Sequence, residues 1–145
     1  MKIITFDFDN TIAMSYMDTR GETPVPVFQH YNDKIVKKIK KNIKEGNEVY
    51  IVTSRKEDFE PYFPEQSIPY HLKQLGLDQY FLPDRLFYTN GKSKYPILLK
   101  LKTEKHYDDD IEEHKDAWDS KYEVNNLWIA SKTLILSAKP LFLMI

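Results

Sequence analysis

The sequence predicts an α/β fold: one domain spanning residues 1–145, with a parallel sheet covered on both faces by helices. Three observations lead there. Short apolar runs at 3–8, 48–52 and 86–89 have the length of buried strands and their β-branched and aromatic content. Between them lie stretches with helical periodicity, clearest at 33–46, so strand and helix alternate as in βαβ units. A chain of 145 residues with 41% hydrophobic and 14% aromatic content is enough for one core, despite 30% charged residues.

In chain order, the run beginning at Ile3 is the first strand, and it stops on Asp7-Phe8-Asp9-Asn10-Thr11. Residues 13–32 hold two prolines, Gly21 and no sustained period, and read as a short flap or loop. From Asp33 to Gly46, Ile35, Val36, Ile39 and Ile43 recur at helical spacing, with Asn32 or Asp33 as N-cap and Gly46 as the stop. The other face of that helix carries Lys34, Lys37, Lys38, Lys40, Lys41 and Lys44, which reads first as a solvated face and second as a surface for phosphates. The second strand, Glu48 to Val52, runs into Thr53-Ser54-Arg55. Acids, aromatics and prolines fill 56–69, and Tyr70 to Leu77 reads as a short helix ended by Gly76. Leu86 to Thr89 is a third strand closed by the turn pair Asn90-Gly91.

A further helix starts near Ser93 and runs through Ile97, Leu98 and Leu101, with Pro96 tolerated in its first turn. Lys105-His106-Tyr107 leads into Asp108-Asp109-Asp110 as a brief fourth strand, with an acidic helix expected after it. The tail, 121–145, is either a C-terminal extension or a last strand, and its apolar end from Pro140 to Ile145 is expected to bury.

Composition removes several classes of function. No cysteine means no disulfide, no thiolate metal site and no cysteine nucleophile. A net charge of −1 gives no global pull toward nucleic acid or membrane. With no apolar run of membrane-spanning length and no signal-like opening, the chain is expected to be soluble and cytoplasmic, without a membrane partner. The four histidines lack metal spacing and read as surface or structural residues.

What remains is a constellation of strand ends. Two carboxylates at the carboxyl end of a strand repel unless a cation, a proton or strong donors compensate them, which makes Asp7 and Asp9 a candidate metal or acid/base site. The bland alternative is an Asx turn capped by Asp9, Asn10 and Thr11. A parallel sheet, however, brings successive carboxyl ends to one edge, where ligands bind. That edge would gather Asp7 and Asp9, then Thr53 and Ser54, a lysine at 92 or 94, and Asp108 with Asp109. Turn capping does not predict the later members. Phosphoryl transfer to an aspartate needs such a set: a carboxylate nucleophile, a cation, donors for the equatorial oxygens and an acid for the leaving oxygen.

Through Asp7-Phe8-Asp9-Asn10-Thr11, Val52-Thr53-Ser54-Arg55, the 92–94 lysines and Tyr107-Asp108-Asp109, residues 3–120 resemble the haloacid dehalogenase-like hydrolase superfamily. The resemblance implies a three-layer Rossmann-like fold, Mg2+ dependence and hydrolysis through an aspartyl-phosphate. Carried over residue by residue, it implies Asp7 as nucleophile and metal ligand, and Asp9 as general acid/base with its backbone carbonyl toward the metal. Thr53 and the Ser54 N–H would hold the phosphoryl group beside Arg55. Lys94 or Lys92 would be the catalytic cation, Lys94 fitting the helix start better. Asp108 and Asp109 would complete the metal site. Dehalogenases of the superfamily lack the second aspartate of the first motif, so Asp9 points to a phosphatase. Neither 13–32 nor the interval after the second strand is long enough for a full cap domain, so the site is expected to be open.

An open site suits a nucleotide or a polynucleotide end, and the chain is loosely similar to polynucleotide phosphatase domains. The alternatives are a small-metabolite phosphatase closed by homodimerisation, in contrast to a monomer, and a phosphate- or metal-binding module without turnover.

Overall fold

The computed structural model describes residues 1–108 and the backbone of the two strands at 127–130 and 133–137. Its elements are β1 (Ile3–Phe6), β2 (Ala13–Asp18), β3 (Val25–Tyr31), α1 (Asp33–Lys44), β4 (Glu48–Thr53), α2 (Ile68–Gln74), β5 (Leu86–Tyr88), α3 (Tyr95–Leu101), β6 (Lys105–Asp108), β7 (Leu127–Ala130) and β8 (Thr133–Ser137). The main sheet runs β5-β4-β1-β6-β8-β7, and its first four strands are parallel. An α/β architecture with a four-stranded parallel sheet and helices therefore holds, and it is compatible with a Rossmann-like fold.

Two expectations need correction. The sheet is not wholly parallel, because β8 lies antiparallel to β6 and β7 antiparallel to β8. Only two residues separate β7 from β8, and a parallel neighbour needs a crossover of a dozen or more. Part of 121–145 is thus a pair of strands. Of the two readings of residues 13–32, flap or loop, the loop gives way: they hold a separate antiparallel hairpin of β2 and β3. Its period was hidden by a register shift between Met14 and Ser15 and by Pro26 inside β3, which a two-stranded ribbon tolerates on its open side. The acidic helix after residue 108 and the burial of 140–145 lie outside the described residues.

Strand alternation divides the side chains of the sheet. Ile4 and Phe6 of β1 and Val49 and Ile51 of β4 form one buried cluster with Ile35 and Ile39 of α1 and Ile68 and Leu72 of α2. Phe6 stacks on Tyr107 of β6, with ring centroids 5.0 Å apart. The alternate positions are polar: Thr5, His106 and Asp108 are all buried, as is Lys94 at the start of α3. In α1 the apolar stripe packs inward and its lysines are exposed or half-buried, the solvated-face reading; Gly46, at φ +82°, ends the helix. The hairpin is tied down by Phe28 and Tyr31 packing on His71 of α2, whose Nδ1 lies 2.7 Å from the Tyr31 hydroxyl. No helix among the described residues is long and apolar enough to cross a membrane.

Candidate functional site

β1 and β6 pair with Phe6 opposite Tyr107, so Asp7 and Asp108 follow at the same level on neighbouring strands. Two buried carboxylates in that position would repel strongly. Lys94 resolves the conflict: its Nζ lies 3.0 Å from Asp7 Oδ1 and 2.6 Å from Asp108 Oδ2. The lysine side chain is 1% exposed, Asp7 7% and Asp108 0%, so this is a dry ionic cluster in which each charge depends on the others. Thr11 donates to the other oxygen of Asp7 at 3.3 Å. His106 Nε2 donates to Asp108 Oδ2 at 3.0 Å, and its Nδ1 meets the Thr5 hydroxyl at 2.7 Å. A histidine held at both nitrogens fixes the orientation of the carboxylate beside it. Lys92, by contrast, is exposed, so of the two candidate lysines the one at 94 joins the aspartates.

Asp9 belongs to a second cluster. Phe8 turns inward and is fully buried, and its carbonyl accepts from the backbone N–H groups of Thr11, Ile12 and Ala13 in a tight turn. Asn10 adopts φ 60° there, a left-handed conformation that asparagine tolerates better than most residues. The turn leaves the Asp9 carboxylate 37% exposed and aimed at Arg55. The guanidinium holds it bidentately, Nε to Oδ2 at 2.8 Å and Nη2 to Oδ1 at 2.9 Å. Its remaining nitrogen, Nη1, donates to Glu60 Oε2 at 3.1 Å and to the Gln66 carbonyl at 2.7 Å. The guanidinium also lies 5.0 Å from the Phe8 ring centroid. Burial works against the charge of Arg55, but its bonds to Asp9 and Glu60 outweigh that and raise its pKa above the ordinary value.

Glu60 is itself braced by the Ile68 N–H at 2.6 Å and by the Tyr88 hydroxyl. Burial, followed by that bond to Glu60, holds the Tyr88 phenol well above its usual range.

Thr53 ends β4, next to β1, and is 1% exposed. Its Oγ1 accepts the Arg55 N–H at 3.2 Å, which leaves its own hydroxyl proton for an acceptor at the sheet edge. Ser54 is exposed, and its carbonyl takes the Gly91 N–H at 2.8 Å, fastening the 54–55 loop to the turn after β5.

The structure therefore brings Asp7, Lys94 and Asp108 into one bonded group, places Asp9 with Arg55 beside it, and sets Thr53 and Ser54 on the adjoining strand end. Asp109 lies outside the described residues. Sequence reasoning missed Thr11, His106 and Glu60 as partners of these groups. His106 carried a signal in its i, i+2 spacing from Asp108, which puts both on one face of a strand. Glu60 carried none.

Among the described residues no group of three or more His, Asp or Glu side chains is arranged to hold a metal. The Asp7–Asp108 pair nonetheless has the chemistry of a hard-cation site, since small divalent ions are commonly held by one or two carboxylates with water and substrate oxygens completing the shell.

No family model matches the chain, and no solved structure matches it. An uncharacterized protein of Acanthamoeba polyphaga mimivirus is 32% identical over 113 residues, which cover 74% of this chain. The chain spans 22% of the length of that viral protein.

Proposed function

We propose that the chain is a Mg2+-dependent phosphatase of the haloacid dehalogenase-like type without a full cap, hydrolysing phosphomonoesters through an aspartyl-phosphate on Asp7. The observation that supports this most is Lys94 buried between Asp7 and Asp108 at the ends of adjacent parallel strands. Three dry charges locked together serve stability poorly, since apolar residues of similar volume would do as well or better, so their presence favours a chemical role.

In this reading an Asp7 carboxylate oxygen attacks phosphorus, and the bond from phosphorus to the leaving oxygen breaks. Asp9, protonated at that moment, gives its proton to the leaving oxygen. Asp9 then takes a proton from a water molecule that attacks the same phosphorus, releasing inorganic phosphate and the Asp7 carboxylate. Thr53 and the Ser54 N–H donate to the phosphoryl oxygens, and Lys94 offsets charge between those oxygens and Asp7. Asp7 and Asp108, with Asp109, would hold Mg2+, which when bound neutralises phosphate charge. His106 keeps Asp108 oriented for that task.

Asp9 can act only once Arg55 lets go of it, because both carboxylate oxygens are occupied by guanidinium N–H groups. A phosphoryl group arriving beside Thr53 competes for Arg55 with the same bidentate geometry. Arg55 is thus the residue that substrate would draw away, arming Asp9 as it binds. An open site without a full cap would suit nucleotides or polynucleotide ends as substrates.

A screen of phosphoesters with Mg2+ tests the chemistry. Asp7→Asn is expected to lower turnover by at least about three orders of magnitude with the fold intact. Retained turnover would remove Asp7 as nucleophile.

One observation favours a second reading: Lys94 and Arg55 already compensate Asp7, Asp108 and Asp9, as a binding module without turnover would require. Tight binding of a metal-fluoride phosphate mimic with no hydrolysis of any ester would select it.

A further inference from the structure

A cavity of about 390 Å3 opens beside Asp9 and Arg55, between the β2–β3 hairpin and the turns at 57–66. Its volume falls within the range of small-ligand sites, about 300–1,000 Å3. The apolar wall comes from both sides: Tyr16, Met17 and Pro26 of the hairpin, and Phe59 and Phe63 opposite. The two phenylalanine rings lie against each other, with centroids 4.8 Å apart. Met17 is 54% exposed, Tyr16 46% and Phe59 40%, so large apolar side chains are held open to solvent on facing walls. Polar residues line it as well, Asn10, Gln66 and Lys56 among them.

We propose that this cavity is a base-binding subsite, in which the nucleobase of a nucleotide substrate lies against Phe59 and Phe63 while its phosphate occupies the neighbouring strand ends. The inference rests on the phosphatase reading for the position of the phosphate. In that reading Asp9 meets the leaving oxygen, so whatever fills the cavity beside Asp9 is the leaving group. The composition of the walls selects its chemistry. Aromatic and thioether surfaces on facing sides suit a flat unsaturated ring. A phenyl ring joined directly to phosphate has no use for the amides of Asn10 and Gln66 or the ammonium of Lys56. A nucleobase has donors and acceptors around its edge for such groups, and its sugar supplies the spacer between phosphate and ring. The opening toward solvent admits either a free mononucleotide or the terminal nucleotide of a strand.

The test compares kcat/KM, with Mg2+, for nucleoside monophosphates, a terminally phosphorylated oligonucleotide, ribose 5-phosphate and phenyl phosphate. Wild-type protein is compared with Phe59→Leu/Phe63→Leu, whose fold is checked by thermal melting. The nucleotide or the oligonucleotide should exceed ribose 5-phosphate by at least about tenfold, equivalent to 1.4 kcal/mol, and the double variant should erase most of that ratio. Whichever of the two is the better substrate names the source of the base. Equal use of nucleotide and ribose 5-phosphate, a ratio unmoved by the variant, or a preference for phenyl phosphate overturns the proposal.

Absence of hydrolysis on every ester defeats the phosphatase reading and leaves the subsite open to a separate measurement. In calorimetric titration with adenosine and guanosine, binding by wild type that is lost in the double variant supports the subsite, and no binding by wild type overturns it.

Discussion

Asp7 and Asp9 stand two residues apart and share one side chain, yet the fold gives them opposite surroundings. Asp7 sits in a dry cluster in which Lys94 serves two carboxylates and His106 orients one of them. Asp9 faces a cavity and is gripped by an arginine that is itself held by Glu60 and the Gln66 carbonyl. The difference arises from alternation and one tight turn. Asp7 still follows the register of β1, and Phe8 buries its ring on the other side; the turn at Asn10 then carries Asp9 outward. In the inner cluster charges are costly to separate because water cannot replace a lost partner. In the outer one water can. Under the proposed mechanism the first environment would be that of the nucleophile and the second that of the acid/base.

The sharpest way to break this contrast is to remove the inner cation. Lys94→Met keeps an unbranched side chain one atom shorter, without the charge, and leaves Asp7 and Asp108 facing one another in a dry site. Stability should fall by about 3–5 kcal/mol, seen in chemical denaturation or as a fall in Tm of roughly 10 °C or more. Added Mg2+ should restore more of the loss in this variant than it adds to wild type, because a divalent ion takes over the compensating role. A variant as stable as wild type would mean that the inner cluster does not depend on its lysine.

The outer cluster should respond less. Glu60→Gln keeps an acceptor for Arg55, Tyr88 or the Ile68 N–H but removes the charge that the guanidinium leans on. Partial solvent access screens the change, and a loss of about 1–2 kcal/mol is expected by the same denaturation measurement. A larger loss than in Lys94→Met would reverse the order of the two clusters and undo the contrast between dry and wet.

The two clusters were not equally legible in the sequence. Asp7, Asp108 and a lysine before α3 could be placed together because strand ends and a helix start are strong local signals, and a parallel sheet turns sequence order into spatial adjacency. That logic also separates Lys94 from Lys92 once the helix start is fixed. Glu60 and the cavity wall escaped notice, because 56–66 forms short 3-10 turns with no period to read, and a carboxylate there looks like any solvated acid. The hairpin was missed for a related reason: a bulge and a proline broke the alternation that betrays a strand. The antiparallel edge of the sheet is not legible in residues 121–145, which fit a last strand or an extension alike, since pairing direction depends on the length of the connection more than on the residues in the strand.

The smallest expected deficit at neutral pH concerns a substitution at His71, which lies behind the outer cluster. Its ring lies 5.6 Å from that of Phe8, whose ring in turn carries the Arg55 guanidinium. Burial first, and the nearby Arg55 charge second, push the His71 pKa down from its ordinary 6.5 to about 4. Below pH 6.5 the unfolded chain therefore binds a proton that the folded chain refuses. The resulting stability is complete above pH 6.5, declines as pH falls and levels off near pH 4, a loss of no more than about 3 kcal/mol. Carboxylates also titrate in the lower part of that window, so the measurement is a difference: urea denaturation of wild type and His71→Phe from pH 7 to pH 4. His71→Phe gives up a hydrogen bond to Tyr31, about 0.5–1.5 kcal/mol at pH 7, and should recover that deficit or more as the pH approaches 4. Parallel curves for the two proteins would show that the ring is protonated in the fold as readily as outside it. The outer cluster would then tolerate a second cation behind Arg55, and its distinction from the inner one would narrow.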